Sequence, residues 1–432
     1  MKTIIRQVFP FVLCLHLVSS CSHRTDDSDV PLASIQIQDR NGLTETISTP
    51  ERLEPYRHLD FLSSQPFKKI IRVFKQNGKM GGKITTYHPN GQIHQYLESQ
   101  DMRAYGAYKE WHPNGALRIE ATIIGGSADV VAGSQRDWVF DGIARVWDEQ
   151  SRLIAEIPYK KGVLEGASLV YAPSGHVLSR SPYMQGSLEG EMIEYYPNET
   201  IRSKTTYHQG IKNGESLGFW ENGEYSWKET YQNGPLLEGH YYSNKGETIS
   251  QVEGGFGFQA IFKGLHLEQL IECRKGYPEG IVRFYLPNGE LKSIYHIKNG
   301  RKQGEEIQYF SSQDMSDNTS KEPIPKLSIP WEADRISGIV KTWYNNGKLE
   351  SQRELSRNKK MGSALGWYRD GSLMYMEEYE DDVLTKGQYF KRNQKESVSS
   401  IFNGNGIATL YDEQGVFLRK VQYVKGKPID PE

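Results

Sequence analysis

The chain has 432 residues, which is enough for two or three ordinary domains or for one long repeat array. Lysine and arginine number 52 against 54 aspartate and glutamate residues, and this near-neutral balance without a basic block argues against a nucleic-acid-binding protein. Hydrophobic residues make up only 37% of the chain, while 42 glycines and 26 tyrosines predict many turns and an aromatic-rich core.

Residues 1–20 have the pattern of a secretion signal. Lys2 and Arg6 precede an apolar run from Val8 to Val18, which is too short for a membrane span. The run ends in LVSSC, which resembles the lipobox of bacterial lipoproteins and predicts a diacylglycerol anchor on Cys21. Ser22 follows this cysteine, which in that family favours the outer membrane. The alternative is an ordinary cleaved signal followed by a chance cysteine.

The segment after the signal, residues 21–66, is polar and interrupted by prolines, and it predicts a tether. Within it, Asn41-Gly42 predicts a hairpin turn between Ile35–Ile37 and Leu43–Ile47. With Cys14 removed and Cys21 acylated, Cys273 would be left without a partner for an internal disulfide.

From Gly82 onward, glycine is followed five residues later by an aromatic residue, often at an interval of 24 residues. A period of about 20 to 50 residues indicates an array of identical supersecondary units. The twelve glycines are Gly82, Gly106, Gly142, Gly166, Gly190, Gly214, Gly257, Gly280, Gly304, Gly338, Gly362 and Gly406. Two repeat blocks are predicted, residues 67–310 and 338–432, separated by a polar insertion at 311–337 whose Ser311–Ser320 stretch is typical of disorder.

The unit from Gly166 to Glu189, numbered as repeat positions 1 to 24, predicts two strands and two turns. The aromatic residue at position 6 precedes a Pro-Asn-Gly type of turn, as in the two HPNG sequences at His88–Gly91 and His112–Gly115, where both histidines are predicted to lie at the rim of a hairpin. An aliphatic residue follows at position 12 and a tyrosine at position 18. We expect position 6 to face position 12, and position 18 to cover the glycine of the next repeat, with all three side chains on one face.

The phrase G-x4-aromatic-x2-N-G-x-L-x5-Y-x2-G, read from Gly166 to Gly186 and in part from Gly338 to Gly347, resembles the MORN-repeat variant family of bacterial proteins. This resemblance extends over Gly82–Gly426 and implies an all-β fold, an elongated array of tandem antiparallel β-hairpins of about 24 residues that forms a long twisted sheet. Choline-binding or glucan-binding cell-wall repeats are the alternative, suggested by the GWYRDG sequence at Gly366–Gly371. Some members of the bacterial family are labelled antitoxins or phosphoinositide kinases, but neither label supplies catalytic residues for this chain.

Sequence motifs for catalysis are missing. The sequence contains no G-x4-G-K-[ST] phosphate loop, no H-E-x-x-H and no C-x-x-C, so we expect no enzyme activity, no cofactor and no metal site. Glutamates at position 24 could form an acidic edge, although a solvated charge beside a turn is the commoner role; they are Glu165, Glu189, Glu238 and Glu279.

The predicted function is that of a lipid-anchored, non-enzymatic scaffold of the bacterial cell envelope that binds a protein partner. A glycan-binding protein and the neutralising partner of a toxin remain alternatives. The aromatic residues at position 7 are predicted to be exposed on the side opposite to the core and are the candidate partner-binding surface; they are Tyr196, Trp220, Tyr344 and Tyr368.

Overall fold

The computed structural model of the chain describes residues 31–76, 78–131, 133–315 and 322–429. The predicted signal peptide, the predicted lipidation site Cys21 and part of the predicted disordered stretch, residues 316–320, lie outside the described residues. Within the described ranges the regular structure comprises 36 strands, a one-turn helix at Pro50–Leu53 and 3-10 turns at Glu54–Tyr56, Ser134–Arg136 and Ser312–Asp314. The prediction of an all-β array of hairpins is confirmed.

The chain divides into two compact units, which we call unit 1 and unit 2. Unit 1 ends at Gly142 and also includes Asp148–Ser151, and unit 2 comprises Ile143–Trp147 and the chain from Arg152 onward. This boundary lies inside the first predicted repeat block and not at the insertion. The strands of unit 1 are β1 (Leu32–Gln38), β2 (Thr44–Ile47), β3 (Lys69–Gln76), β4 (Lys79–Tyr87), β5 (Ile93–Gln100), β6 (Arg103–Trp111) and β7 (Leu117–Ile123).

The boundary between the two units falls within the next strand, β8 (Phe140–Trp147), and all later strands belong to unit 2. They are β9 (Leu153–Lys160), β10 (Val163–Leu164), β11 (Gly166–Tyr171), β12 (Val177–Met184), β13 (Ser187–Leu188), β14 (Gly190–Tyr195), β15 (Ile201–His208), β16 (Ile211–Phe219), β17 (Tyr225–Tyr231), β18 (Leu236–Tyr242), β19 (Thr248–Glu253), β20 (Phe256–Lys263), β21 (His266–Arg274), β22 (Tyr277–Tyr285), β23 (Leu291–Lys298), β24 (Arg301–Lys302), β25 (Gly304–Tyr309), β26 (Pro325–Glu332), β27 (Arg335–Ile336), β28 (Gly338–Trp343), β29 (Leu349–Ser356), β30 (Lys359–Trp367), β31 (Leu373–Glu380), β32 (Val383–Phe390), β33 (Ser397–Phe402), β34 (Asn405–Tyr411), β35 (Phe417–Val424) and β36 (Lys427–Ile429).

The HPNG sequences form the predicted bulged hairpin turns. At the first of them, the main-chain N–H of Gly91 donates to the carbonyl of His88 at 2.9 Å, and the N–H of His88 donates to the carbonyl of Gln92 at 2.7 Å. Gly91 has a φ of +89°, which glycine adopts without steric cost, and Asn90 accepts the N–H of Gln92 through its side chain. His112, the corresponding residue of the second turn, is only 6% exposed, so the expectation that it lies at the rim is wrong.

The predicted pairing of positions 6 and 12 is confirmed. Tyr171 lies opposite Val177 and Trp343 lies opposite Leu349, so an aromatic ring faces an aliphatic side chain across the first turn.

The predicted pairing of position 18 with the glycine of the next repeat is wrong, because Tyr183 lies opposite Leu188 across the second turn and opposite Gly166, the glycine of its own repeat, across the first. A β-bulge at Leu178 adds one residue to the second strand and shifts the register by one. Since Val170 pairs with Ser179 and Tyr171 pairs with Val177, the tyrosine at position 18 points to the face opposite to positions 6 and 12.

The second turns are tight two-residue turns with positive φ at both central residues, the type I′ geometry that matches strand twist. Gln185 and Gly186 have φ values of +50° and +85°, and Asn299 and Gly300 have +52° and +70°. The glycine that opens the next repeat also has a positive φ, +94° at Gly190. Of the twelve repeat glycines, all except Gly82 have a positive φ, so main-chain conformation and not a covering ring explains why glycine recurs at this position.

Aromatic rings do cover glycines, but at position 5 of two repeats. A Cβ on Gly218 would come within 2.2 Å of the Trp227 ring, and one on Gly366 would come within 2.2 Å of the Tyr375 ring. Each pair lies directly opposite across a hairpin, so the ring occupies the space that a side chain would need.

The predicted tether is corrected by the structure of residues 32–61. Strand β1 pairs with both β2 and β3, and the predicted turn at Asn41-Gly42 lies between β1 and β2. The apolar side chains of this segment, among them Ile35 at 0% and Phe61 at 3% exposure, pack into a core cluster with Ile70 and Tyr87. Period-2 alternation in a short stretch with many charges gave too weak a signal for this packing to be predicted.

The predicted insertion at 311–337 is also too long, because Pro325–Glu332 forms β26. This strand completes the repeat that begins at Gly304, with Tyr309 opposite Pro325 and Gly304 opposite Trp331. The residues before this strand are polar, and for that reason the sequence did not indicate that the repeat pattern resumes at Pro325.

Candidate binding surfaces

The four aromatic residues predicted to bind a partner are largely buried. Trp220, Tyr344 and Tyr368 are 3%, 5% and 0% exposed, and Tyr196 is half-buried. The prediction of an exposed aromatic face at position 7 is therefore wrong for the first three. Position 7 follows the end of the strand, so the alternation of faces no longer applies to it.

These tyrosines connect successive repeats. The hydroxyl groups of Tyr196, Tyr344 and Tyr368 donate to the main-chain carbonyls of Phe219, Trp367 and Phe390 at 2.8, 2.7 and 2.7 Å. Each accepting carbonyl belongs to the residue at position 6 of the following repeat, or to the residue that takes its place in the structure. Burial raises the pKa of Tyr344 and of Tyr368 to about 12, as expected for phenols that stay protonated within the fold.

Trp220 occupies the same position with a different contact. Its ring packs edge-to-face on Phe262, with the centroids 4.9 Å apart and the planes inclined by 71°. In unit 1, a ring nitrogen of His88 lies 2.9 Å from the carbonyl oxygen of Trp111 and so occupies the place of the tyrosine hydroxyl. Position 7 is a structural contact between neighbouring first turns.

The glutamates at position 24 stabilise the second turns. Glu165, Glu189 and Glu279 accept the main-chain N–H of Gln185, Gln209 and Asn299 at 2.8, 2.8 and 2.9 Å. Each donor is the first positive-φ residue of the following type I′ turn.

Glu189 shows the electrostatic consequence. The N–H of Gln209, with a further hydrogen bond from His208, lowers the pKa of Glu189. Glu238 makes the related contact to the N–H of Gly254 at 3.0 Å. These carboxylates thus accept hydrogen bonds from main-chain N–H groups of the turns. This role explains the glutamates without an acidic edge that binds cations.

A carboxylate with two tyrosine donors occurs twice in unit 2, once buried at Glu229 and once half-buried at Glu377. Glu229, 6% exposed, accepts from Tyr231 at 2.9 Å and from Tyr241 at 2.7 Å. Glu377 accepts from Tyr379 and Tyr389 at 3.0 and 2.8 Å.

A lysine accompanies each of these carboxylates. The ammonium groups of Lys212 and Lys360 both lie 4.6 Å from a ring centroid, over Tyr231 and Tyr379 respectively. The repetition of the whole arrangement shows that it belongs to the packing of the repeats, because a network in which each polar group has a partner favours one arrangement of the side chains.

An exposed row of apolar side chains follows the second turns of unit 2. Successive turns are in contact: the N–H of Gly186 donates to the carbonyl of Leu164 at 2.9 Å, that of Gly210 to Leu188 at 2.8 Å, and that of Gly276 to Gly255 at 2.9 Å. Six side chains beside these turns are between 38% and 58% exposed, and we call them the turn-edge row: Val163, Met184, Ile211, Leu237, Phe256 and Tyr277.

Two clefts also open on unit 2. The larger has a volume of about 790 Å³ and lies beside β22, β23, β25 and β26. The smaller, about 290 Å³, lies over Trp227, Glu229 and Gln259, and part of its wall is the carboxylate network just described. Neither cleft was predicted, because each combines residues of several repeats that carry no shared motif.

Groups that could serve other chemistry are few in the part of the chain that the structure describes. Among these residues, no group of three or more histidine, cysteine, aspartate or glutamate side chains is arranged to hold a metal ion. Cys273 is a free thiol, 2% exposed, and burial raises its pKa. No helix of the described residues has both the length and the apolar character needed to span a membrane.

Comparison with protein families confirms the resemblance seen in the sequence. The model of the MORN repeat variant matches residues 188–209, 278–299 and 336–355, which correspond to the repeats at Gly190, Gly280 and Gly338. Each match begins two residues before the glycine that opens the repeat. No curated protein matches the chain.

Solved structures show distant likenesses. The chain is 9% identical to a chain of TcdB2-TccC3, covering 93% of this chain and 29% of that one with a TM-score of 0.17, and 10% identical to a chain of TcdB2-TccC3-Cdc42, covering 87% and 24% with a TM-score of 0.12. A porin-like protein from Bacteroides uniformis ATCC 8492 is 12% identical, with 56% of this chain and 93% of that chain covered and a TM-score of 0.16. The chain thus spans less than a third of the first two proteins, and scores this low carry no argument about fold or function.

Proposed function

We propose that this chain, which carries MORN repeat variants at three places, is a non-enzymatic scaffold of a bacterial cell envelope that binds another protein through the turn-edge row. Acyl chains on Cys21 would hold it to the membrane, on the outer membrane in particular. The observation that carries the proposal is the exposure of six apolar side chains along adjacent turns of unit 2. Apolar side chains that cluster on a surface mark interaction sites, whereas single exposed ones need no explanation.

The chemistry of the row suits a protein partner. Ile211, Phe256 and Tyr277 supply large apolar contact areas, each more than half exposed. Charged residues of the same turns, among them Lys161 and Lys275, would form the rim. An apolar centre with a polar rim, and aromatic residues as the energetic centre, is the usual anatomy of a protein interface.

The turns are also held in one conformation before any partner arrives. Glu189 fixes the turn at Gln209, and the main-chain hydrogen bonds between neighbouring turns fix their spacing. A surface that needs no ordering on binding loses less conformational entropy, so the same contacts give a higher affinity.

The glycan-binding alternative depended on exposed aromatic residues at position 7. With Trp220, Tyr344 and Tyr368 buried, that surface is not available in this form. The turn-edge row therefore becomes the surface on which the scaffold function rests.

The test is a comparison of partner capture by matched variants of the full chain. In one variant Ile211, Phe256 and Tyr277 are all changed to serine; in the control Leu43, which is 73% exposed in unit 1, is changed to serine. Proteins crosslinked in envelope membranes are identified, and the main one is purified for affinity measurement. We expect wild type and L43S to bind it equally and the triple variant to lose binding. Equal binding by all three proteins would contradict the proposal.

The lipid anchor has its own test. Cys21→Ala should abolish incorporation of labelled fatty acid and move the protein from the membrane fraction to the soluble fraction, because two or more acyl chains are what makes such an anchor stable. Separation of inner and outer membranes on a density gradient then tests the outer-membrane assignment. An unlabelled wild-type protein would contradict the lipidation.

A further inference from the structure

The larger cleft of unit 2 contains chemistry that the packing of the repeats does not use. Its volume of about 790 Å³ lies in the range of small-ligand sites. It is bounded by the β22–β23 hairpin, by β25 and β26, and by the 3-10 turn at Ser312–Asp314. The side chains that matter for its chemistry are Phe284, Tyr295, Lys292, Lys326, Asn288 and Gln313.

One wall of the cleft is aromatic. The rings of Phe284 and Tyr295 are stacked, with centroids 5.8 Å apart and planes inclined by 27°. The ammonium group of Lys302 lies 4.5 Å from the Tyr295 centroid and 2.6 Å from the carboxylate of Glu306, which is itself 6% exposed. The positive charge of Lys302 is thus compensated within the fold, and the ring of Tyr295 is held in place.

The rim of the cleft carries two further lysines. Lys292 and Lys326 each occupy the bulge that follows position 12 of their repeats, and both are exposed. Strands β23 and β26 flank β25 on either side, so the two bulges are separated by two strand spacings, about 10 Å. Among the described residues Lys292 takes part in no ion pair, whereas Lys326 lies 5.5 Å from the ring centroid of Phe310 and near the carboxylate of Asp314, which also lines the cleft.

The arrangement excludes one common mode of peptide recognition. An extended peptide adds to a sheet by pairing with an unpaired edge. Here β25 pairs with β23 on one side and with β26 on the other, so it offers no free main-chain groups. Recognition of a ligand by strand addition is therefore excluded at β25, and ring faces with hydrogen-bonding and charged side chains are the groups that the cleft offers.

We propose that this cleft binds an anionic saccharide. The C–H face of a sugar ring would pack on Phe284 and Tyr295, since aromatic rings present large flat apolar faces. The acidic groups of two sugar units would pair with Lys292 and Lys326, and the amides of Asn288 and Gln313 would bind hydroxyl groups. The proposal is independent of the protein partner, because the turn-edge row contributes no residue to this cleft.

Isothermal titration of the full chain in detergent tests the proposal, with trigalacturonate as the probe and maltotriose as its uncharged counterpart. Variant K292Q/K326Q removes the rim charges, and K263Q/K298Q, at exposed positions outside the cleft, is the matched control. We expect trigalacturonate to bind, maltotriose not to bind, and K292Q/K326Q to lose about tenfold or more in affinity, since two charge-assisted contacts are removed. Phe284→Leu should weaken binding separately, with the lysines intact.

Several results would overturn the proposal. These are no binding of trigalacturonate, an equal loss of affinity in K263Q/K298Q, or unchanged binding by Phe284→Leu. If hexaglutamate bound as tightly as trigalacturonate, the cleft would recognise negative charge alone, and this result would contradict the assignment of a saccharide ligand. Capture of the protein partner by K292Q/K326Q, measured in parallel, keeps failure of this proposal distinct from failure of the scaffold function.

Discussion

The hydroxyl group of Tyr344 donates a hydrogen bond to the main-chain carbonyl of Trp367 at 2.7 Å, across the boundary between two repeats. The same contact joins Tyr368 to Phe390 and Tyr196 to Phe219. A residue that looks like an exposed recognition group in the sequence is therefore part of the connection between hairpins. This distinction between connecting and free side chains determines which surfaces remain available for binding.

The first prediction concerns that hydrogen bond. Tyr344→Phe should lower the free energy of unfolding by about 1 to 2 kcal/mol, because the half-buried Trp367 loses the donor to its carbonyl while the ring of residue 344 still packs. Tyr277→Phe, at a position 58% exposed, is the control and should leave stability unchanged. Urea denaturation measures both. Equal stabilities for the two variants would show that the contact between repeats contributes nothing.

The second prediction concerns the glycine that opens each repeat. Gly190→Val should cost about 1 to 3 kcal/mol, because the residue has a φ of +94° and a β-branched side chain is strained there. Gly338→Val should cost more, since its φ is +124° and a Cβ would lie 3.0 Å from Pro330.

Gly81 provides the control for these variants. It lies within a strand, with nothing within 4 Å of a Cβ and no positive φ, so Gly81→Val should be neutral or stabilising. Thermal unfolding compares the three variants. A loss at Gly81 as large as at Gly190 would contradict the conformational explanation.

The third prediction uses two type I′ turns that have a residue other than glycine at the second position. Met102 has a φ of +64° and is 84% exposed, so Met102→Gly should stabilise the protein by about 0.4 to 1 kcal/mol. Asp382 has a φ of +69°, but its carboxylate accepts the N–H of Lys360 at 2.7 Å. Asp382→Gly should therefore bring no gain, and denaturation curves that show equal gains would contradict this contrast.

The fourth prediction is a loss of stability at alkaline pH. Burial raises the pKa of Tyr344 and Tyr368 from the ordinary value of 10 to about 12. A raised pKa in the folded state means that these groups contribute fully below pH 10 and that the contribution disappears as pH rises through 12. The free energy of unfolding should therefore fall between pH 10 and 12, with a smaller slope in Tyr344→Phe. A flat profile in this window, with tyrosinate absorbance appearing in the folded protein, would contradict it.

Local sequence patterns predicted the hairpins well. The HPNG turns and the pairing of Tyr171 with Val177 depend on residues within one unit, so period and turn chemistry were sufficient. The pairing of Tyr183 could not be predicted in the same way. The bulged residue Leu178 shifts its register against Gly166, and the two-residue turn at Gln185-Gly186 places it opposite Leu188, without a distinct sequence signal for either.

The candidate sites were harder to predict than the fold. The buried position of Tyr344 depends on the carbonyl group of a residue in the next repeat. Every residue has such a carbonyl group, so a sequence pattern does not indicate this contact. The turn-edge row combines unrelated side chains, such as Met184 and Phe256, that adopt similar exposure only after the turns stack. The packing of the segment around Ile35 was missed for the same reason, since it depends on contacts with a strand more than 30 residues away.

The most direct test of the scaffold function is hydrogen–deuterium exchange of the full chain with and without its purified protein partner. Binding at the turn-edge row predicts slower exchange in the second turns of unit 2, at residues 161–164, 185–188, 209–212 and 254–256, with little change in the first turns that Tyr196 and Tyr344 connect. Protection confined to the first turns, or to unit 1, would contradict the assignment of this surface.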